Sequence, residues 1–390
     1  MAEAFGDHYR GIYARGLGGE RPDPPIAWDE LERLAEQRMD PAAADYVFAD
    51  AGSGDTTREN LAAFRRWRIV PRMLRDVAER DLSVELLGMT LPAPVALAPI
   101  GAQTIVHADG ELATARAAAA LGLPIVVSTA SATSLEEIAK AGGEAPRWYQ
   151  LYWPNDDELA RSLIARAEAA GYSAIVLTVD TYIPGWKPRD LQRAELPFLR
   201  GVGIAQYLSD PVFRAALERS PEEDLGAAVG HFLGVQANPS LDWDDVSELR
   251  AMTELPIVIK GILHPDDARE ARERGADGVV VSNHGGRQVD GAIASLEALP
   301  AIAEALGGEI AVLLDSGIRG GADVLKALCL GADAVLLGRP YLWGLALGGQ
   351  AGVEEILRRL LAELDLTLGL SGYTRPGELG PNALRRSTGA

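Results

Sequence analysis

Short apolar runs recur along the chain, and each is followed by a stretch with the spacing of an amphipathic helix. The runs are rich in β-branched residues, and their alternation with helical stretches is typical of βαβ units with a parallel sheet. Because the runs are apolar on both faces, they suit strands covered by helices on one side and by packed side chains on the other. Eight such runs predict an α/β fold of the (β/α)8 TIM barrel type. They begin near Pro94, Ile125, Arg147, Ala174, Pro256, Gly278, Glu309 and Asp333.

Several helical stretches carry start signals. Ser134 precedes LEEIAK with Glu137 three residues on, Asn155 precedes DDELARSLIARAEAAG, and His264 with Pro265 precedes DDAREARERG. These residue types accept hydrogen bonds from the first turn of a helix, so we expect helices to begin at these three points. Glycine ends three of the stretches, at Gly171, Gly275 and Gly331.

One connection between the predicted strands is too long. The fourth and fifth runs start 82 residues apart, at 174 and 256, whereas the other neighbouring starts are 22 to 31 residues apart. The excess of roughly fifty residues, over 192–242, mixes helical pieces with glycine-rich breaks, and long loops of this kind are usually lids or binding loops. The insertion follows the carboxyl end of a strand, where barrel enzymes keep their active sites, so we favour a lid over a decorative insertion.

Residues 1–92 precede the barrel, which we assign to 93–390. They contain helical stretches over 28–39 and 41–51. We expect them to pack on the barrel as an N-terminal helical extension instead of forming a separate domain.

The composition, with 47% hydrophobic and 24% charged residues in 390, is that of a soluble globular protein. A formal net charge of −19 repels polyanions, so we expect no nucleic-acid partner. No apolar run reaches the roughly 18 residues of a membrane span, and residues 1–19 lack a signal-peptide core, so we expect no membrane partner and a cytoplasmic location. Cys329 is the only cysteine, which excludes an intrachain disulfide, and its helical surroundings predict a core position.

The ends of the predicted strands carry an unusual set of polar residues. Ordinary strand ends are richer in Gly, Asn and Asp and poorer in Lys, His, Gln and Tyr, so this set predicts a site at the carboxyl face of the barrel. No GxGxxG, GxxxxGK[ST], HExxH or CxxC pattern occurs, so nicotinamide-binding, P-loop and common zinc sites lose support, and we expect no metal. The strand-end set is Pro99, Ser128, Gln150, Tyr152, Thr178, Asp180, Lys260, Ser282, Asn283, His284, Asp315, Gly338 and Arg339.

Two glycine-bearing stretches near the end of the barrel are candidates for a phosphate site. DSGIRGG, over 315–321, follows the seventh run, and LGRP, over 337–340, follows the eighth. Glycines let backbone N–H groups approach an anion, and Arg319 and Arg339 add charged donors. Phosphate sites of barrels commonly lie after strands seven and eight, so we favour this interpretation over a pair of tight turns.

The stretch SNHGGRQ, over 282–288, places His284 and Arg287 three residues apart on one loop. Histidine can take a proton near neutral pH, and arginine can hold a carboxylate through two hydrogen bonds, although such a loop can also be purely structural. Lys260 at a strand end can neutralise negative charge on a bound ring, or it can form an ion pair with a neighbouring carboxylate. Tyr46 and Tyr152 can donate to a substrate oxygen or simply pack.

Taken together, SNHGGRQ, VIKGI, DSGIRGGADVLKAL and GADAVLLGRP resemble the FMN-dependent 2-hydroxy-acid oxidases and dehydrogenases, which include glycolate oxidase and lactate oxidase. The resemblance runs from about Tyr46 to Tyr341, and DYVFADAGSGDTTREN is similar to the family's entry segment. Among members, lactate 2-monooxygenase is the most similar, because YQLYWP, GWKPRDL, PFLRG, DPVF and the insertion all resemble it.

The resemblance implies FMN as the cofactor and assigns roles to the residues. His284 is then the catalytic base, with Asp180 steadying it, and Lys260 faces one edge of the flavin ring. Tyr46, Tyr152 and Arg287 bind the substrate, and Lys187 stands where the family usually has a second arginine. Lysine lacks the planar fork of arginine, which puts the identity of the substrate in doubt, and Arg189 is a candidate to compensate. The residues implied to bind FMN are Pro99, Ile100, Gly101, Ser128, Gln150, Thr178, Lys260, Ser282, Asp315, Gly317, Arg319, Gly338 and Arg339.

The expected function is FMN-dependent oxidation of a small, lactate-like L-2-hydroxy acid to the 2-keto acid, with O2 as acceptor and a homotetramer or homo-octamer as the assembly. One alternative is a lactate 2-monooxygenase that yields acetate, carbon dioxide and water. Another is a dehydrogenase that reduces a quinone or a cytochrome. Outside this class, a flavin-dependent isomerase and a phosphate-ligand barrel without flavin stay open.

Overall fold

The computed structural model describes residues 4–387. Eight parallel strands, β1 to β8, close into a barrel in which β8 pairs with β1 and each other strand pairs with the next along the chain. The predicted (β/α)8 barrel is therefore confirmed. The strands are β1 Val95–Leu97, β2 Ile125–Ser128, β3 Arg147–Leu151, β4 Ile175–Thr178, β5 Ile257–Ile262, β6 Gly278–Val281, β7 Ala311–Leu314 and β8 Ala334–Leu337.

Both faces of the strands are buried, as their continuous apolar runs predict. One alternating set, which includes Trp148 and Val258, fills the barrel interior, and the other packs against the surrounding helices. A hairpin of two short strands, Val84–Leu86 and Met89–Leu91, adds Leu86 and Leu91 to the interior cluster.

Helices follow the barrel strands, and two of the three expected start signals lie where they were predicted. Ser134 and Glu137 form a capping box, and His264 accepts from the Asp266 N–H at 3.1 Å. The prediction at Asn155 is wrong by one residue, because the side chain of Asp156 caps the helix instead. The helices around the barrel are Gly110–Ala120, Leu135–Gly142, Asp157–Ala169, Trp243–Met252, Pro265–Glu273, Ser295–Leu306, Gly321–Cys329 and Arg339–Leu370.

The N-terminal region packs on the barrel's last helix, Arg339–Leu370. A short strand, Trp67–Ile69, pairs with Leu384–Arg386 near the other end of the chain. The predicted stretch over 41–51 is helical only to Phe48, because Ala49 adopts an extended conformation. Residues 1–3 and 388–390 of the predicted ranges lie outside the described residues. The helices here are Phe5–Asp7 (3-10), His8–Leu17, Trp28–Arg38, Pro41–Phe48 and Asp55–Arg65.

The segment after β4 folds into short helices around an aromatic cluster. The rings of Tyr207 and Phe232 meet edge to face with centroids 4.9 Å apart, and Phe213 packs beside Tyr207. Cys329 is buried, as predicted. Over residues 4–387, no helix has both the length and the apolar character needed to cross a membrane. The helices of the segment are Pro188–Arg193, Pro197–Arg200 (3-10), Ala205–Leu208, Pro211–Ala215 and Leu225–Val235.

Candidate active site

A cavity of about 370 Å³ opens at the carboxyl ends of the barrel strands. It brings together residues that are far apart in sequence, from Tyr46 in the N-terminal region to Arg339 after β8. Five residues of the predicted strand-end set are not in its lining: Gln150 and Thr178 lie in β3 and β4, and Asp180, Ser282 and Asn283 follow β4 or β6. The predicted residues that line the cavity are Tyr46, Pro99, Ile100, Gly101, Ser128, Tyr152, Lys187, Lys260, His284, Arg287, Asp315, Gly317, Arg319, Gly338 and Arg339.

His284 and Asp180 form a close pair between the loops after β6 and β4. His284 Nδ1 lies 2.8 Å from Asp180 Oδ1, and the Thr181 hydroxyl lies 3.1 Å from the same nitrogen. Gly261 makes this arrangement possible, since a Cβ there would lie 2.8 Å from the Asp180 Cβ. The loop conformations thus hold the imidazole by one nitrogen against a carboxylate.

Electrostatics keep this pair poised for proton transfer. Burial alone would raise the pKa of the Asp180 carboxyl, but the charges of His284 and Lys260 lower it to about 2. Burial lowers the pKa of the His284 imidazole, and Lys260 adds to this effect, whereas Asp180 opposes it. Near neutral pH the site therefore holds an ionised Asp180 beside a neutral histidine, which is the protonation state that a general base requires.

Lys260 is 3% exposed and lies in the carboxyl-terminal half of β5. Its ammonium donates to Ser282 Oγ at 3.0 Å and pairs with Asp315 Oδ2 at 3.3 Å. Burial alone would lower the pKa of this lysine, but Asp315 and Asp180 raise it. The ion pair considered as an alternative from the sequence is therefore present, and the paired ammonium also lines the cavity.

Two arginines that are largely shielded from solvent, Arg319 and Arg339, lie close together in the cavity lining. Burial lowers the pKa of Arg339 to about 10, and the neighbouring positive charges of Arg319 and Arg287 contribute. Burial likewise lowers the pKa of Arg319, whose Nε has no hydrogen-bond partner in the described chain. Each guanidinium has a long ion pair, Arg319 with Glu32 and Arg339 with Asp50, both at 3.5 Å. Two cations held close together and largely out of water still favour an anion between them, so this end of the cavity suits a phosphate.

Backbone geometry at the same end of the cavity keeps side chains out of the way. Gly317 has a φ of +92°, and a Cβ there would lie 2.7 Å from the Asn60 carbonyl oxygen. Ser316 before it also has a positive φ, of 75°. Only glycine tolerates both the conformation and the close approach at 317, so the loop presents backbone to the cavity.

Two buried polar atoms in the barrel wall bear on whether the residues around the cavity fit a flavin. Gln150 Nε2 and Thr178 Oγ1 are fully buried, and neither finds a hydrogen-bond partner among residues 4–387. The other amide atom of Gln150, Oε1, already accepts from Ser128 Oγ at 3.0 Å. Unpaired buried donors beside a cavity call for acceptors from a bound group, and the polar edge of a flavin ring carries such acceptors. The donor set and the cationic pocket together fit FMN.

The cavity lining also includes Tyr46, Tyr152, Arg287 and Lys187. Arg287 Nη1 donates to the carbonyls of Tyr46 at 3.0 Å and Ala49 at 2.7 Å. The Lys187 ammonium has one long contact, 3.4 Å to the Gly185 carbonyl. Both cations therefore line the same cavity, and the contact that Lys187 makes with the Gly185 carbonyl is long.

Arg189 does not take part in this group. Its guanidinium pairs with Asp45 at 3.1 Å and with Glu36 at 2.9 Å on the surface. It is absent from the cavity lining, so the suggestion that it substitutes for the missing arginine is wrong.

Sequence reasoning missed several residues of the site. Thr181 follows Asp180 directly, and Gln288 ends the SNHGGRQ stretch, where its Nε2 donates to the Asp180 carbonyl at 2.6 Å. Asp190 lies three residues after Lys187, and Phe198 belongs to the segment over 192–242; both line the cavity. Proximity to a predicted residue was the available signal for the first three. Phe198 lies in the PFLRG stretch that carries part of the family resemblance, but no role was predicted for it.

Comparisons with known proteins agree with this geometry. Residues 35–386 match the family described as FMN-dependent dehydrogenase. The chain belongs to this family. It is 45% identical over 350 residues to an L-lactate oxidase of Lysinibacillus sphaericus, covering 90% of each chain. It is 44% identical over 384 residues to an FMN-dependent alpha-hydroxy acid dehydrogenase of Schizosaccharomyces pombe, covering 96% of this chain and 94% of the relative.

A crystal structure of mandelate oxidase has the same fold, with a TM-score of 0.83, 39% identity, and coverage of 94% of this chain and 99% of that one. The family membership confirms FMN as the cofactor and a 2-hydroxy-acid oxidoreductase as the class of enzyme.

Proposed function

We propose that the protein oxidises an L-2-hydroxy acid to the 2-keto acid, with O2 as the electron acceptor. The observation that carries this proposal is the joint presence of His284, held by Asp180, and the cations Arg287 and Lys187 in one cavity. A base beside carboxylate-binding cations suits a substrate that bears a hydroxyl next to a carboxylate. The L-lactate oxidase similarity supports a small acid such as lactate as the first substrate to test.

Each residue then has a role in binding or proton transfer. Arg287 and Lys187 bind the carboxylate, and the hydroxyls of Tyr46 and Tyr152 donate to substrate oxygens. With Nδ1 bonded to Asp180, the His284 ring takes the substrate proton at Nε2, and the Asp180 charge stabilises the resulting imidazolium.

The remaining predicted residues hold the cofactor. Lys260 places a buried positive charge where negative charge develops on reduction. FMN, when bound, accepts the two electrons of the oxidation and passes them to the acceptor. The ring would contact Pro99, Ile100, Gly101, Ser128, Gln150, Thr178 and Ser282, and the phosphate Asp315, Gly317, Arg319, Gly338 and Arg339.

Anaerobic mixing of the purified yellow protein with a panel of L-2-hydroxy acids tests the proposal. We expect lactate or a close relative to bleach the flavin absorbance, and air to restore it with formation of one hydrogen peroxide per keto acid. His284→Ala should keep FMN and bleach at least about a hundredfold more slowly, as expected for loss of a general base. A parent protein that no 2-hydroxy acid bleaches would contradict the proposal.

A second candidate is a lactate 2-monooxygenase, in which the keto acid and peroxide react before release. The segment over 192–242, which we propose to be a lid, favours it, because Leu196, Phe198 and Phe232 from this segment line the cavity. Product analysis separates the two candidates: pyruvate plus hydrogen peroxide for the oxidase, or acetate, carbon dioxide and water for the monooxygenase. Bleaching without reoxidation by air would favour a quinone- or cytochrome-linked dehydrogenase over both.

The cytoplasmic location and the tetrameric or octameric assembly expected from the sequence stay predictions. Size-exclusion chromatography with light scattering measures the assembly, and cell fractionation measures the location.

A further inference from the structure

The short helix Pro188–Arg193 carries no buried apolar side chain. Its one buried residue is Asp190, which lines the cavity, and Lys187 directly precedes its first turn. A helix of six residues is not stable by itself in water, and helices in proteins are usually held by an apolar face that packs on the core. Another interaction must therefore fix this helix at the edge of the cavity.

Ion pairs with the N-terminal region supply that interaction. Asp45 accepts hydrogen bonds from Arg189 Nε at 3.1 Å and from Arg193 Nε and Nη2 at 2.9 and 2.7 Å. Arg189 Nη2 also donates to Glu36 Oε1 at 2.9 Å. We call these four residues the acid–arginine cluster. Within residues 4–387, no other hydrogen bond joins the helix Pro188–Arg193 to another element.

The cluster connects two helices that each bring a predicted substrate-binding residue to the cavity. Asp45 lies in the helix Pro41–Phe48, directly before Tyr46. Arg189 follows Lys187 by two residues. Tyr46 and Lys187 both line the cavity. A displacement of one helix from the other would therefore separate Lys187 from Tyr46.

Asp45 is the centre of the cluster. A hydrogen bond from Arg193, together with one from Arg189, outweighs burial and lowers the pKa of Asp45, so this carboxylate is charged near neutral pH. The side chains are partly exposed, 27% for Asp45 and 41% for Arg189, and an isolated pair of this kind contributes little. Here one carboxylate holds two arginines, and three of the four hydrogen bonds end on it. Removing Asp45 leaves the helix with the single bond to Glu36.

Resting on the proposed function, we propose that Asp45 is a positioning residue for the substrate-binding site: through Arg189 and Arg193 it holds the short helix, and with it Lys187, beside Tyr46. Arg189 thus contributes to substrate binding although it does not line the cavity. The effect of Asp45 should appear in the affinity for a carboxylate and should require the two arginines.

The sign of one substitution separates position from charge. Asp45→Asn removes a negative charge near a cavity proposed to bind a carboxylate, so by charge alone it would tighten binding. If Asp45 holds the helix in place, the same substitution weakens binding instead. An exposed ion pair changes an equilibrium constant by roughly 1.5- to 5-fold, and Asp45 forms two, so we expect binding to be about three- to tenfold weaker.

Titration of the holoenzyme with oxalate at pH 7 measures this effect. Oxalate is a dicarboxylate without an oxidisable hydroxyl, and its binding is followed by the change in flavin absorbance. With an oxidisable 2-hydroxy acid, the KM should rise by a similar factor. The limiting rate of flavin reduction should change less than about twofold, because His284 and Asp180 stay in place, whereas a general folding defect would lower that rate as well.

Two comparisons make the test specific. Glu222→Gln breaks a different exposed ion pair, with Arg214 at 2.9 Å, and should leave oxalate affinity unchanged because neither residue lines the cavity. In a background with Arg189→Gln and Arg193→Gln, Asp45→Asn should no longer weaken binding.

Four results would each overturn the proposal. They are unchanged or tighter oxalate binding by Asp45→Asn, a weakening that persists without the two arginines, an equal weakening by Glu222→Gln, and a parent protein that does not bind oxalate.

Hydrogen exchange in excess FMN covers the case in which Asp45→Asn retains the cofactor poorly. Mass spectrometry follows the N–H groups of Leu191 and Ala194, which bond to the carbonyls of Lys187 and Asp190 at 3.0 Å. We expect exchange at least about threefold faster than in the parent, and an equal rate would contradict the role of Asp45. The oxalate and exchange measurements need no turnover. A parent that binds oxalate but is bleached by no 2-hydroxy acid therefore contradicts the proposed function, and these two measurements still decide the role of Asp45.

Discussion

Replacing Asp180 by asparagine tests how far the buried carboxylate supports His284 as a base. The change preserves shape and removes the charge that lies 2.8 Å from Nδ1. The imidazole would then acquire a proton from the substrate without a counter-ion. We expect slower flavin reduction with FMN still bound.

The structure sets the size of the effect. Burial by itself would raise the pKa of Asp180 above its ordinary 3.8. The charges of His284 and Lys260 outweigh burial and lower this pKa to about 2. At about 1.4 kcal/mol per unit, a difference of this order corresponds to a few kcal/mol. Because Lys260 shares this stabilisation, only part of it belongs to the imidazolium, and we expect flavin reduction to be on the order of tenfold slower.

The pH profile carries a second, less obvious signature. Asp180 raises the pKa of His284, so removing its charge lowers the pH at which the imidazole becomes protonated. The acid limb of the reduction rate should therefore move to lower pH even as the plateau falls. Anaerobic stopped-flow absorbance from pH 4.5 to 8 measures both quantities.

Thr181→Val is the matched control. It removes the hydroxyl 3.1 Å from the same nitrogen without changing the charge, so the acid limb should stay in place. An Asp180→Asn variant with an unchanged plateau, or with an acid limb displaced to higher pH, would refute the reasoning.

Other predictions follow from neighbouring contacts. Arg339→Ala should weaken FMN retention by roughly 1.5–3 kcal/mol for a lost charged hydrogen bond, measured by fluorescence titration of the apoprotein; unchanged affinity would remove Arg339 from the phosphate site. Backbone N–H groups hold the pKa of Asp290 at about 2, so the stability that it contributes is full above pH 4 and is lost towards pH 2. Asp290→Asn should therefore lower the Tm at pH 7 and approach the parent value at pH 2. Lys187→Arg should tighten lactate binding if the lysine binds the substrate carboxylate less well than an arginine would, because arginine can form two hydrogen bonds with it. An unchanged KM for every acid tested would place residue 187 outside the site. Phe198→Ala should raise the KM for phenyl-bearing acids more than the KM for lactate, because Phe198 lines the cavity. The exposed neighbour provides the control variant, Leu199→Ala. An equal effect on both acids would contradict a role of the segment over 192–242 in holding the side chain of the substrate.

The sequence alone was sufficient for the barrel and for the family to which the chain belongs. Strands buried on both faces leave continuous apolar runs, and all eight lie where these runs predict. In a parallel barrel every strand ends at the same face, so polar residues after different strands must meet there even though Tyr152 and Arg339 are 187 positions apart. Knowing that all strands end at one face was therefore enough to predict that the motifs after different strands share a cavity.

Tertiary structure decided which side chains face that cavity and what they contact. Arg189 and Asp190 are neighbours in sequence, yet one forms surface ion pairs and the other is buried in the cavity wall, because the short helix that carries them turns them to opposite sides. The contribution of Phe198 depends on how the segment after β4 folds back, and the close contact of Gly261 with Asp180 depends on two loops meeting. Such long-range packing leaves no periodic signal in the chain, so only the folded structure reveals it.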